Sequence, residues 1–333
     1  MTRLRLGAPA APKARAAALL LAAALGVLFL KGYSAFRSDH MTQVPMLMRL
    51  VEPDLFARDW FFGGRANYAE RQVFLAAERA LLIPLRRIEL VLFSQYLALL
   101  CAFATALWLI ARRFGRAEPL FLLWMFYCAT ANRFADISVA PLIEDFMVPR
   151  FYSYVGGYLA IALLLRGRAA AGGLALGALG LFQGAPALQI LPVLILWLFF
   201  DRARREAARL SLLLLAGFLS LYWLQFWFLR DLVSGPGLYS EEERIRLLAC
   251  IRNPHHMLPH LFRGHYYEEA LALLVFFWAG WRRGLFSGAE RTLARLVAAF
   301  LVFLLASVAG IYFFRDASFI AFQPMRMFAP LRL

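Results

Sequence analysis

Polar side chains that could do chemistry concentrate just after the first long apolar segment of the chain. Asp39, His40 and Gln43 follow one another closely there. A positioned carboxylate can take the proton from an attacking hydroxyl group, so Asp39 is the predicted catalytic base. An imidazole and an amide can hold the same substrate by hydrogen bonds, and we predict that role for His40 and Gln43.

Three further polar clusters follow along the chain. They are Asp136, Glu144 and Asp145 with Arg150; Arg252 with His255 and His256; and Gln323 with Arg326. The three carboxylates are predicted ligands for a divalent ion, Mg²⁺ or Mn²⁺, which prefers oxygen ligands. The remaining residues are predicted to bind substrate, because arginine contacts phosphate in a bidentate manner and histidine can donate hydrogen bonds.

Each cluster also has a simpler interpretation. Glu144 and Asp145 could pair with Arg150 or Arg133, and the two histidines could form a structural turn between Pro254 and Pro259. Arg326 could anchor phosphate headgroups at a membrane surface. None of the clusters has the spacing of a zinc site.

The composition of the chain indicates what kind of fold positions these residues. The chain of 333 residues is 62% hydrophobic and only 17% charged, with a mean hydropathy of +0.64. Soluble domains have about half apolar and a quarter charged residues. The apolar residues form runs long enough to cross a bilayer, and spans in lipid must be helical or closed barrels. We therefore predict an all-α integral membrane protein in one domain.

About nine transmembrane helices are predicted, with short amphipathic helices in the outer loops. The predicted spans are 16–35, 88–110, 119–131, 151–165, 169–182, 186–200, 210–229, 270–281 and 296–314. The predicted outer segments are 36–87, 132–150, 230–267 and a tail, 315–333, that we expect to be a shortened end. The first span lacks a small-residue cleavage pattern, so we expect it to be retained.

The excess of basic residues predicts an orientation. The net charge is +15, and arginines crowd the short loops on one side together with the basic tail 1–15. Short basic loops lie in the cytoplasm, so we expect a cytoplasmic amino terminus and an outer carboxyl terminus. Because the basic residues flank apolar spans, membrane lipids are the expected partners and nucleic acid is not.

Two local patterns complete the prediction. An amphipathic helix is expected over 70–85, with Val73, Leu75 and Leu81 on the apolar face and Glu78 on the polar face, lying on the outer interface. The Ala- and Gly-rich tract 169–180 predicts close helix packing through small residues.

The arrangement resembles the GT-C class of polytopic glycosyltransferases. In that class an acid follows the first helix, and Ser38-Asp39-His40-Met41-Thr42-Gln43 occupies this position, with His40 in place of the usual second acid. Three segments also resemble an uncharacterised bacterial membrane-protein family related to that class. They are Gln43-Val-Pro with the following Glu52-Pro-Asp-Leu-Phe-Ala-Arg-Asp-Trp-Phe, Arg252-Asn-Pro-His255-His256-Met-Leu-Pro, and Gln323-Pro-Met-Arg326.

The resemblance implies a glycosyltransferase in the bacterial inner membrane that uses a polyprenyl-phosphate-linked sugar on the outer face. Two alternatives remain open. A transporter or flippase would need polar or broken helices near the bilayer midplane. A non-catalytic membrane scaffold that binds polyprenyl lipids would tolerate substitution of Asp39.

Overall fold

The structure is a computed structural model, and it describes residues 12–36, 40–55, 71–114, 117–130, 143, 145–233, 240, 242–243 and 264–314. Over these residues the chain forms helices and no strands. The helices are α1 (Pro12–Lys31), α2 (His40–Val51), α3 (Gln72–Leu85), α4 (Ile88–Ala111), α5 (Ala117–Thr130), α6 (Pro149–Leu164), α7 (Ala169–Gly180), α8 (Gly184–Asp201), α9 (Arg204–Val233), α10 (Gly264–Arg282) and α11 (Gly288–Ala309), which ends in a π-helical turn, Gly310–Phe314.

Five helices of the described chain are long and apolar enough to cross a membrane. Their spanning segments are Ala14–Lys31, Ile88–Ala111, Gly184–Asp201, Arg204–Gln225 and Gly288–Phe313. The all-α membrane class is therefore confirmed, while the count of nine spans stays a prediction. Two of the other predicted spans correspond to α5 and α7. These helices are apolar but shorter than the 18 residues required of a candidate span.

The first span begins and ends four residues earlier than predicted. Gly32 has a positive φ of 80° and its N–H donates to the carbonyl of Leu28 at 2.8 Å. A glycine in this left-handed conformation is a frequent helix terminator, because it satisfies a terminal carbonyl without steric cost. Residues 32–36 therefore leave the helix and become part of a polar junction.

The small-residue tract packs as predicted. A Cβ atom added at Gly173 of α7 would overlap the main-chain carbonyl of Leu214 in α9, and one added at Gly217 of α9 would overlap that of Ala170. The two helices therefore approach with their backbones almost in contact. Such an approach requires glycine on both sides.

Helix α3 is rotated relative to the prediction. Its buried residues are Phe74, Leu75, Glu78 and Leu82, whereas Leu81 is exposed. Residues four apart lie on one face of a helix, so Glu78 shares its face with Phe74 and Leu82. The prediction that placed Glu78 on the polar face was wrong, and its carboxyl group points into the protein.

The bundle has two chemically different ends. At the basic end, Arg15 pairs with Glu118 at 3.1 Å, and Arg113 donates to the carbonyl of Leu165. Burial, followed by the charges of neighbouring arginines, lowers the pKa of Arg166 there. At the opposite end, which we call the polar end, α1 leads into α2 and the residues before α6 pack against that connection.

Candidate functional site

Two segments that are distant in sequence meet at the polar end. The N–H of Ser34 donates to the carbonyl of Asp145 at 2.6 Å, and the Ser34 hydroxyl lies 3.4 Å from the Asp145 carboxylate. His40 Nε2 donates to the carbonyl of Met147 at 2.7 Å, and its Nδ1 accepts from the N–H of Phe36 at 3.1 Å. We call this set of contacts the loop junction. It fixes both flanks of the stretch that carries Asp39.

His40 occupies an unusual place for a substrate-binding residue. Its side chain is fully buried, and its ring packs edge-on against Phe146 with centroids 5.3 Å apart. Both ring nitrogens are bonded to main-chain groups, which also sets the neutral tautomer with the proton on Nε2. This geometry fits a role in positioning the loop, and substrate binding by His40 stays a prediction.

Gln43 lies one helical turn after His40 on the same buried face of α2. Its side chain is 2% exposed. Within the part of the chain that the structure describes, neither the oxygen nor the nitrogen of its amide has a hydrogen-bond partner. A buried amide without a partner costs about 1–3 kcal/mol, so the partner of Gln43 is expected outside the described residues.

A second polar group surrounds Glu78, and we call it the Glu78 cluster. It contains Glu78 from α3, Gln95 from α4, Tyr152 from α6 and Tyr33 from the connection after α1. Tyr152 donates its hydroxyl proton to the Gln95 side-chain oxygen. Its ring also stacks on Phe182, with centroids 3.8 Å apart and planes within 6°. Three helices and the first connection thus converge on one buried carboxyl group.

The surroundings of Glu78 favour the protonated, neutral form of its carboxyl group. Burial raises the pKa of Glu78 to about 8 from its ordinary 4.5, against a smaller opposing effect from the Gln95 amide. That amide is near enough to act on Glu78, although no hydrogen bond of good geometry joins them. Burial, with a contribution from Glu78, also raises the pKa of Tyr33. At neutral pH the Glu78 side chain is therefore mostly protonated and can donate a hydrogen bond.

An apolar groove runs between the helices below the loop junction, and we call it the interhelical groove. It encloses about 80 Å³ between α4, α5, α6, α8 and α11. Its lining residues are almost all apolar or aromatic: Leu107, Ile110, Trp124, Tyr154, Gly157, Tyr158, Ile161, Ile190, Leu293, Leu296, Val297 and Phe300. A wider apolar depression of about 800 Å³ adjoins it and shares Trp124, Leu293 and Val297.

Arg150 is aligned with this groove along α6. Tyr154, Gly157 and Ile161 line the groove at spacings of three and four residues, so they form one face of the helix. Arg150 precedes Tyr154 by four residues and falls on the same face, about 6 Å further toward the polar end. The spacing therefore assigns Arg150 to the groove-facing side of α6, toward the polar end.

Eight other predicted site residues lie outside the described residues: Asp39, Asp136, Glu144, Arg252, His255, His256, Gln323 and Arg326. Asp145 is described, and it bonds to Ser34 and attracts the ammonium group of Lys31. Among described residues no three His, Cys, Asp or Glu side chains come together as metal ligands. The metal site at Asp136, Glu144 and Asp145 therefore stays a prediction.

Sequence reasoning did not identify the Glu78 cluster. The spacing of Phe74, Glu78 and Leu82 was the available signal, because it places an acid in the middle of an apolar face. Gln95 and Tyr152 are separated by 57 positions and carry no common motif. Only the packing of α4 against α6 brings them together.

Comparison with models of known protein families, with curated proteins and with solved structures found no match.

Proposed function

We propose that this chain is an integral membrane glycosyltransferase of GT-C type that uses a polyprenyl-phosphate-linked sugar as donor. The observation that carries the proposal is the alignment of Arg150 with the interhelical groove. A lipid-linked sugar has a long apolar chain, an anionic phosphate and a polar sugar in that order. In the proposed complex the interhelical groove holds the apolar chain, Arg150 contacts the phosphate, and the sugar lies beside the loop junction.

The groove suits the polyprenyl chain because its walls come from candidate membrane spans. Leu107 and Ile110 belong to the span Ile88–Ala111, and Leu293, Leu296 and Phe300 line the groove from the span Gly288–Phe313. Polar groups cannot be satisfied inside hydrocarbon, so an apolar groove at this depth is expected to hold a hydrocarbon chain. Arg150 then neutralises the phosphate through charge-assisted hydrogen bonds.

The reaction places a base beside the loop junction. The acceptor hydroxyl oxygen forms a bond to the anomeric carbon, the bond from that carbon to the phosphate oxygen breaks, and the polyprenyl phosphate leaves with the electron pair. Asp39 takes the hydroxyl proton. His40 and Ser34 support this role by fixing the segment on either side of Asp39 against residues 145–147.

The predicted cation ligands extend this proposal. Asp136, Glu144 and Asp145 would hold Mg²⁺ or Mn²⁺, which supplies positive charge to the leaving phosphate. Arg252, His255, His256, Gln323 and Arg326 are proposed as further contacts to the donor. The membrane is proposed to be the bacterial inner membrane, with the basic end in the cytoplasm and the reaction on the outer face.

The direct test is sugar transfer by the purified chain in bilayer discs. A panel of labelled polyprenyl-phosphate sugars is supplied with and without Mg²⁺ or Mn²⁺, and Asp39→Asn is compared with the wild type. Transfer that is lost in Asp39→Asn supports both the reaction and the base. Transfer retained in that variant keeps the reaction and moves the base to Asp136, Glu144 or Asp145.

A flippase for lipid-linked sugars is the second candidate. The interhelical groove joins a wider depression whose lining includes Phe114, where α4 ends, and Pro119, near the start of α5. Together their lining residues run from Tyr154, near the start of α6, to Phe114 and Pro119 at the basic end. A path for a lipid across the membrane would have such a lining. Movement of a labelled lipid between leaflets without any transfer product would favour this candidate. Saturable lipid binding with neither activity would favour a lipid-binding scaffold.

A further inference from the structure

A separate amphiphilic cleft opens at the basic end, between the ends of α8 and α10 and the start of α11. It has a volume of about 680 Å³. Aromatic side chains supply much of the wall, and two guanidinium groups supply the charge: Phe199, Phe200, Trp281, Phe286, Arg291 and Arg295. We call it the basic-end cleft. Arg150 and the loop junction lie at the other end of the bundle, so this cleft is independent of the proposed donor site.

The two arginines are four residues apart and therefore share a face of α11. Arg295 is partly neutralised, because its Nη1 atom lies 3.0 Å from the Asp201 carboxylate, which also pairs with Arg202 at 3.2 Å. Arg291 is exposed, and its Nε atom donates to the carbonyl of Phe286 at 3.4 Å. Within the described chain Arg291 takes part in no ion pair.

The acids near Arg291 are engaged elsewhere. Glu290 caps α11 by accepting from the N–H and hydroxyl of Ser287, both at 3.3 Å. It lines the neighbouring apolar depression and not this cleft. Asp201 is buried under Arg295 and accepts a further bond from Thr292 at 3.1 Å. The cleft therefore presents a positive charge that the described residues do not compensate.

The position of the cleft suits a lipid. Phe199 and Phe200 are at the end of the candidate span Gly184–Asp201, and Arg291 and Arg295 are at the start of the span Gly288–Phe313. Aromatic and basic side chains at span ends are typical of the membrane interface. There an apolar wall faces acyl chains while a guanidinium group faces phosphates.

We propose that the basic-end cleft binds one anionic glycerophospholipid. The phosphate contacts Arg291 and Arg295, and the first carbons of an acyl chain pack between Phe200, Trp281 and Phe286. A soluble anion can make only the phosphate contact with the arginines, and a lipid without net charge gains mainly the apolar contact. An anionic lipid makes both contacts, so the cleft should bind it more tightly than a soluble anion or a neutral lipid.

Native mass spectrometry of the full chain tests this site. Detergent-purified protein is titrated with phosphatidylglycerol or phosphatidylcholine of the same acyl chains, and retained lipid is counted. The wild type should retain phosphatidylglycerol in preference. Arg291→Gln should weaken that retention about fivefold, since one basic residue near a membrane surface contributes about 1 kcal/mol. Arg205 is exposed at the same end and does not line the cleft, so Arg205→Gln should have no effect.

Two further measurements keep the result interpretable. Phe200→Ala removes an apolar wall without changing charge, and it should lower retention of both lipids. Unfolding temperatures without lipid identify any variant that is misfolded. If Arg291→Gln is misfolded, Phe200→Ala tests the apolar wall, and the preference of the wild type for phosphatidylglycerol tests the charge. Equal retention of the two lipids by the wild type, or unchanged retention in Arg291→Gln, overturns the proposal. Displacement of phosphatidylglycerol by millimolar inorganic phosphate overturns the assignment to a lipid.

Discussion

The Nε2 atom of His40 donates a hydrogen bond of 2.7 Å to the main-chain carbonyl of Met147. This one contact joins the connection after α1 to the connection before α6, although the two residues are 107 positions apart. Each connection carries carboxylates that we propose for catalysis or metal binding. The bond therefore joins the described flanks of these two connections, His40 on one and Met147 on the other.

His40→Ala should destabilise the polar end. The variant leaves the carbonyl of Met147 and the N–H of Phe36 without their partners, which costs about 1–3 kcal/mol for a buried group. Thermal unfolding in detergent micelles measures the change. Met41→Ala is the matched control, because Met41 is adjacent and 66% exposed. Equal unfolding temperatures for His40→Ala and Met41→Ala would contradict the account of the loop junction.

Glu78 should make stability depend on pH. Its pKa is raised to about 8 in the folded chain from an ordinary 4.5, so the folded state keeps a proton that the unfolded chain releases. Stability therefore falls as the pH rises from about 4.5 to about 8, by on the order of 5 kcal/mol in total. Glu78→Gln cannot ionise and should lose this dependence.

The measurement for Glu78 is a series of unfolding temperatures across that pH range. The Glu89→Gln variant is the control, because Glu89 is an exposed acid at the start of α4. Parallel pH profiles for the wild type and Glu78→Gln would show that another group controls the dependence.

Gly173→Val should weaken the packing of α7 against α9. Its side chain would overlap the main-chain carbonyl of Leu214, and forcing extra volume into a packed interface costs about 1–3 kcal/mol. Gly26→Val in α1 is the control, since a Cβ atom there meets nothing within 4 Å. Thermal unfolding compares the two. A Gly173→Val protein as stable as Gly26→Val would rule out the close helix approach.

Val297→Trp should block the interhelical groove. Val297 lines both the groove and the depression beside it, so the larger side chain occupies space that the polyprenyl chain needs. We expect binding of a labelled polyprenyl phosphate to weaken by about tenfold or more. Val302→Trp adds the same bulk to α11 at an exposed position outside the groove and should bind normally.

Much of the helical pattern could be predicted from the sequence. The predicted span 88–110 matches α4, Ile88–Ala111, to within one residue, because uninterrupted apolar runs bounded by arginines define helices in lipid. The hairpin of α7 and α8 was also predicted, since Gln183 and Gly184 interrupt the apolar run between them. Such features depend only on local composition.

Helix α2 and the Glu78 cluster could not be predicted in the same way. Helix α2 contains Pro45 and only a short apolar face, so its sequence gives a weak helical signal. Glu78 was assigned to solvent because acids are normally exposed, and its burial depends on neighbours from three other parts of the chain. The alignment of Arg150 with the groove likewise depends on packing between helices, which a single sequence does not encode visibly.

Photo-crosslinking of a polyprenyl phosphate is the most direct test of the proposed substrate site. The probe carries a photoreactive group on its first isoprene unit and is added to the chain in bilayer discs. We predict crosslinks to α6 and α11 that fall about tenfold or more in Arg150→Gln, because charge-assisted hydrogen bonds contribute about 1.5–3 kcal/mol. Arg168→Gln at the basic end should crosslink as the wild type does. Crosslinks that map to other helices, or that persist unchanged in Arg150→Gln, would contradict the proposed binding of a lipid-linked donor along α6.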